Sequence, residues 1–166
     1  MPIRSLLAAT AVTFTITARL PPIVIPAKSD AVTVQVSLSA DREQLLAAAA
    51  DPTSDIVLDL DKIETERPPG VYFEVFVHSD AEARGRSVGN LALYGTGIRS
   101  ESNGVFQPAH ARLVITEELR IALRKSSTIL ITFVAQGAGG TATTARTLSA
   151  VTIQEPSIAI APKTRE

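Results

Sequence analysis

Apolar and polar residues alternate one for one through segment after segment of this 166-residue chain, and that period constrains its fold more than any other feature. Val12, Phe14, Ile16, Ala18 and Leu20 alternate with Thr13, Thr15, Thr17 and Arg19. Val32, Val34, Val36 and Leu38 alternate with Thr33, Gln35 and Ser37. Ile56, Leu58 and Leu60 oppose Asp59 and Asp61, and Ile129, Ile131 and Phe133 oppose Thr128, Leu130 and Thr132. A period of two puts each set on one face of a β-strand, whereas a helix would need a period near 3.6.

The stretch from Pro68 to Gly97 holds the most strand-like composition. Val71–Val77 and Ser87–Gly95 are rich in Val, Phe and Tyr and bounded by Gly, Pro and Asp, so they read as two adjacent antiparallel strands. Ile23–Ile25, between prolines, reads as a short edge segment. Ala111–Ile115 is a short strand, Ser127–Ala135 a strong one, and Leu148–Gln154 and Ser157–Ala161 close the sheets. Glu64–Pro69 reads as a charged connection.

Two segments are helical instead. Asp41–Ala50 is built of helix formers, with Ser39 or Asp41 available as cap, and is short enough to require a packing surface. Thr116–Lys125 has Thr116 as N-cap, Glu117 and Glu118 in the first turn, and Arg124 and Lys125 at the end, as the helix dipole favours. Leu119, Ile121, Ala122 and Leu123 form its apolar side. No βαβ rhythm is present. The expected fold is therefore all-β: an antiparallel two-layer β-sandwich of eight or nine strands with two short connecting helices. One domain spans residues 1–166, with an N-terminal strand and proline-rich connection over 1–30 and the core sandwich over 31–161. Met1–Ala18 also has a signal-like composition, with Arg4 before an apolar run, but its alternation with threonines favours a strand.

A net charge of −1 and no basic cluster speak against nucleic acid and against a polybasic membrane patch, and no membrane span is expected. The absence of cysteine excludes disulfides, thiolate metal sites and cysteine nucleophiles. One methionine and two histidines leave little for metal coordination. His78 has Asp80 and Glu82 nearby, which allows a surface metal contact but fits a solvated loop better, and His110 stands far away in sequence. Asp59 and Asp61 share a strand face as paired catalytic carboxylates do, yet at that spacing they read as solvent-side residues. The run Gly137-Ala138-Gly139-Gly140-Thr141 lacks the Lys-Ser/Thr and helix of a phosphate cradle and reads as a hairpin turn. No nucleophile elbow or Ser/His/Asp signature is present. No residue is therefore assigned a catalytic, cofactor-binding or metal-ligating role, and no cofactor is expected. Ile98–His110, about a dozen residues, is long enough for a loop to be functional.

Val71-Tyr72-Phe73-Glu74-Val75-Phe76-Val77 resembles the strand that labels the "KFDV" C-terminal domain of plant polyphenol oxidases, and its bacterial tyrosinase counterpart. The following elements fall in the family's order. Ser87–Gly95 takes the place of the next strand, Leu113–Leu119 that of a strand leading into a helix, Ile129–Gly137 that of a strand ending in a Gly-rich turn, and Val151–Gln154 that of the last strand. The resemblance covers roughly Asp55 to Glu155. It implies a lid: a β-sandwich packed over a dicopper catalytic domain. That catalytic domain uses six histidines on a helix bundle, and this chain has two histidines in all. The resemblance therefore implies a non-catalytic interaction or structural protein that covers, stabilises or assembles with a partner subunit, a dicopper oxidase in trans being one such partner. A homo-oligomer is the other assembly to expect. The alternative is a ligand- or glycan-binding sandwich, which the absence of Trp and an aromatic content of 4% disfavour. An enzyme is not expected.

Overall fold

The computed structural model describes residues 15–80, 83–93, 96–99, 106–137 and 145–163. In chain order these form β1 (Thr15–Arg19), β2 (Ile23–Ile25), β3 (Ala31–Ser37), α1 (Arg42–Ala50), β4 (Ser54–Thr65), β5 (Val71–His78), β6 (Ser87–Leu91), β7 (Ala109–Val114), α2 (Thr116–Lys125), β8 (Thr128–Gly137) and β9 (Val151–Pro162). They make the expected sandwich. One sheet runs β1-β9-β4-β7, with β2 also on β9, and the other runs β3-β8-β5-β6. The pairings between these strands are all antiparallel.

The alternating apolar sets meet between the sheets. Ile56, Leu58, Leu60 and Ile63 of β4 are fully buried and belong to the same core as Phe73 and Val75 of β5 and Ile129, Ile131 and Phe133 of β8. Each such side chain contributes about 1.5–3 kcal/mol by leaving water. The helices carry the chain between layers: α1 leads from β3 to β4, and α2 from β7 to β8. α1 is anchored by Leu45, which is completely buried, and by Arg42, whose Nε donates to the Leu123 carbonyl of α2 at 2.9 Å. In α2, Leu119, Ala122 and Leu123 face the core.

Several expectations are corrected. Neither helix is capped by a side chain. Ser39 Oγ bonds Ser37 Oγ instead, and the Thr116 hydroxyl turns back to β4, accepting from the Ile56 N–H at 2.9 Å. Thr116 thus ties the helix start to the sheet. Ile121 lies off the buried stripe and is 48% exposed. The strand from Ser87 ends at Leu91. β4 continues through Glu64 to Thr65, into what read as a connection. β7 begins at Ala109, so Ala109 and His110 belong to a strand and the loop after Ile98 is shorter than expected.

The two closing strands are one: β9 runs unbroken through Pro156. The carbonyl of Pro156 accepts from the Leu20 N–H at 3.0 Å, between the segments paired by β1 and by β2. The N and O of a strand residue face the same neighbour, so the N–H that proline lacks costs only the reciprocal bond to Leu20, just past the end of β1, and leaves the bonds to β4 untouched. Leu148 is not in the strand; it is 77% exposed and lies over Gly70. Val12 and Phe14, and the Gly-rich run beyond Gly137, lie outside the described residues.

Candidate functional site

The β5–β6 connection and α2 enclose a cleft of about 420 Å³. Val77 and Ile121 supply apolar surface, while Asp80, Arg86, Glu118 and Lys125 supply charge. The cleft exists because of two local choices. β5 ends at His78, where the chain leaves the sheet, and α2 presents Ile121 away from the stripe formed by Leu119, Ala122 and Leu123. Residues at positions 119, 122 and 123 share one helix face, and position 121 falls on nearly the opposite one. That spacing was the available signal for the exposed isoleucine.

Arg86 spans the cleft mouth, donating through Nε at 3.2 Å and a terminal nitrogen at 2.9 Å to one oxygen of Glu118. The Glu118 side chain is only 13% exposed, whereas that of Arg86 is 80% exposed. On the next turn face, Arg120 bonds Glu117, and that hydrogen bond holds the Glu117 carboxyl below the usual carboxylate range. An apolar patch rimmed by such charges suits contact with another molecule.

The histidines are placed apart, His78 in one sheet and His110 in the other. His78 is buried, with 6% exposure, which corrects the solvated-loop expectation. Its Nδ1 is 2.5 Å from the Asp80 carbonyl oxygen and its Nε2 is 2.9 Å from the Thr132 hydroxyl. A carbonyl only accepts, so Nδ1 carries the proton; in neutral His78, Nε2 then accepts from Thr132. Thr132 in turn lies 2.9 Å from the Thr33 hydroxyl and, when its own proton is given to His78, accepts from it. The chain of bonds Thr33–Thr132–His78–Asp80 stitches β3, β8 and β5 together. Glu82 lies outside the described residues.

Asp59 and Asp61 do not act as a pair. Asp59 sits between His110 Nε2 at 2.5 Å and Arg112 at 2.8 Å, and Asp61 accepts from the Lys62 N–H at 2.8 Å. Asp59 is therefore a cross-strand ion-pair partner with a 20% exposed side chain, less solvated than expected. Among the described residues no group of three or more His, Asp and Glu is placed to hold a metal ion. The described ends of the 98–110 segment are pinned. Ile98 bridges to Thr65, and Arg99 pairs with Glu64 at 2.6 Å and stacks on the Phe106 ring at 4.4 Å from its centroid.

No protein-family model and no curated protein matches the chain. Among solved structures it is similar to recombinantly expressed latent aurone synthase, a polyphenol oxidase, at 17% identity and a TM-score of 0.49, over 87% of this chain and 26% of that one. Latent aurone synthase from its natural source aligns at 18% identity and a TM-score of 0.47, over 99% of this chain and 30% of that one. The chain thus spans under a third of the length of these proteins.

Proposed function

We propose that this chain is a non-catalytic interaction domain, a lid-like sandwich that covers or stabilises a partner protein, with a dicopper oxidase lacking its own C-terminal sandwich as the partner. The observation that carries the reading is the union of two facts. The elements that resemble the tyrosinase lid occur in order within one sandwich, while the chain has two histidines, one held between Asp80 and Thr132 and the other tied to Asp59. A dicopper centre of that family needs six. The contact face is the α2 cleft, where Ile121 gives an apolar centre and Arg86 and Glu118 a charged rim. Affinity purification of the tagged chain from its native source, followed by mass spectrometry, tests this. A dicopper oxidase is expected to co-purify and to be lost with Ile121→Glu. Recovery of the chain with no other polypeptide overturns the reading.

The cleft volume favours a second reading, a small-molecule site, since ligand pockets run from about 300 to 1,000 Å³. Among the described residues no Phe or Tyr lines the cleft, which counts against a stacked sugar ring. Calorimetric titration with a panel of small organic anions and oligosaccharides would show saturable heat on this reading and none on the first.

A further inference from the structure

We propose that β3 is a self-pairing edge, through which two copies of this chain join their β3-β8-β5-β6 sheets into one continuous sheet. This goes beyond the lid reading and stands whether or not that reading holds. The phase of β3 is set by its flanks: the Ala135 N–H donates to the Asp30 carbonyl at 2.8 Å, and the Leu38 N–H donates to the Ser127 carbonyl at 2.8 Å. Even-numbered residues of β3 therefore bond to β8, and the N–H and C=O groups of Thr33, Gln35 and Ser37 point away from it. Among the described residues no other strand pairs with β3. Natural sheets blunt such edges with charge, proline, bulges or short length.

The other edge strands carry those devices. β7 bears His110 and Arg112, β6 is five residues long with a register shift, β1 is five residues long with another, and β2 is three residues between prolines. β3, in contrast, reads Ala-Val-Thr-Val-Gln-Val-Ser, with seven unshifted pairs to β8 and no charge, proline or glycine. A second copy is the occupant its chemistry fits. With a two-fold axis through Val34, Thr33 meets Gln35 of the other copy, both with backbone groups facing outward, and Ala31 meets Ser37, where the Ala31 N–H exchanges its 2.8 Å bond to the Asp30 carboxylate for the join. Val32 meets Val36 and Val34 meets itself, extending the apolar inner face across the join. No like charges are brought together at any pair.

The tests use the full chain. Sedimentation across a concentration series is expected to show a monomer–dimer equilibrium. Gln35→Pro removes an outward N–H without costing a β3–β8 bond, and Gln35→Lys places a charge on the join. Both are expected to abolish the dimer while circular dichroism stays native, whereas Asn90→Lys on β6 leaves the dimer intact. A single Val34→Cys is expected to cross-link under oxidation, because directly opposed residues at a non-hydrogen-bonded pair lie about 4.5 Å apart, within disulfide reach. Val32→Cys is expected not to, its copies being about 13 Å apart along the strands. A wild type that is monomeric throughout, a dimer that survives natively folded Gln35→Lys, or equal cross-linking at positions 32 and 34 overturns the proposal.

Discussion

Lys62 of β4 and Glu155 of β9 form an ion pair at the point where both strands lose their two-residue phase. Leu60 and Ile63 are both buried with Asp61 and Lys62 exposed between them, and on β9 Ile153 and Pro156 are buried with Gln154 and Glu155 exposed between them. Lys62 adopts φ 52°, a left-handed conformation, and the ladder to β7 slips there. The extra residue on β4 thus has a counterpart on its neighbour, and Lys62 falls opposite Gln154 in the register that joins Asp61 to Glu155 and Ile63 to Ile153. Deleting both Lys62 and Gln154 would leave both strands alternating regularly and in register. The double deletion is expected to melt above either single deletion, measured by thermal denaturation. Additive losses from the two deletions would show that the bulges are independent.

Gly97 is required for two separate reasons, and a pair of substitutions separates them. It has φ +75°, and a Cβ there would lie 2.8 Å from the Ile63 carbonyl oxygen and 3.0 Å from the Ala109 Cβ. Gly85 has φ +70° with nothing within 4 Å of such a Cβ. Gly85→Ala is expected to cost about 1 kcal/mol of backbone strain. Gly97→Ala adds collision with backbone that cannot swing aside, for a total of about 2–4 kcal/mol. Urea unfolding of the two variants gives the comparison, and equal losses would refute the collision.

The inward faces were legible in the sequence because burial and alternation are the same fact in a half-buried strand. Ile56, Leu58 and Leu60, or Ile129, Ile131 and Phe133, need no structure to be placed. What escaped depends on partners distant in sequence. Pro156 looks like a strand terminator until β1 and β2 are seen to part beside it. Thr116 looks like a cap until β4 offers the Ile56 N–H at 2.9 Å. His78 sits among charged residues in the chain but is enclosed by Thr132, some fifty positions on. The cleft escaped for the same reason, since its two walls, residues 79, 80 and 83–86 on one side and α2 on the other, are joined only by the fold.

The hydrogen-bond relay through Thr132 makes a graded prediction. Thr132 is 2% exposed, and its hydroxyl lies 2.9 Å from both His78 Nε2 and the Thr33 hydroxyl, an arrangement in which it donates to the first and accepts from the second. Thr132→Val keeps the shape and strands the buried imidazole nitrogen, at a cost of about 1–3 kcal/mol. Thr33 is exposed on its edge strand, so water replaces it and Thr33→Val is expected to cost well under half as much. Denaturant titration of both variants measures the difference. If Thr33→Val proves the costlier change, the direction assigned to the relay is wrong.

Stability should form a plateau bounded by exposed ion pairs and turn contacts. Asp51 is held below its ordinary value of 3.8 by the Thr53 N–H, helped by the hydroxyls of Thr53 and Ser54, and Glu117 below 4.5 chiefly by its hydrogen bond from Arg120. A carboxylate whose folded value is lowered contributes fully above its unfolded value and loses that contribution as pH falls through the folded one. Both contributions therefore fade on acidification below the range 3.8 to 4.5. Lys62 is raised above 10.5 by its hydrogen bond to Glu155, so its contribution is complete below 10.5 and fades as pH rises past the folded value. All three groups are solvent-exposed, and the effects are expected to be small and to shrink with salt. Melting midpoints recorded against pH for the wild type, Asp51→Asn, Glu117→Gln and Lys62→Met check this. The first two variants should lie below the wild type at neutral pH and converge on it in acid, and the third should converge on it in alkali. A gap between Asp51→Asn and the wild type that stays constant into acid would mean that Asp51 acts through its shape in the turn after α1 and not through its charge.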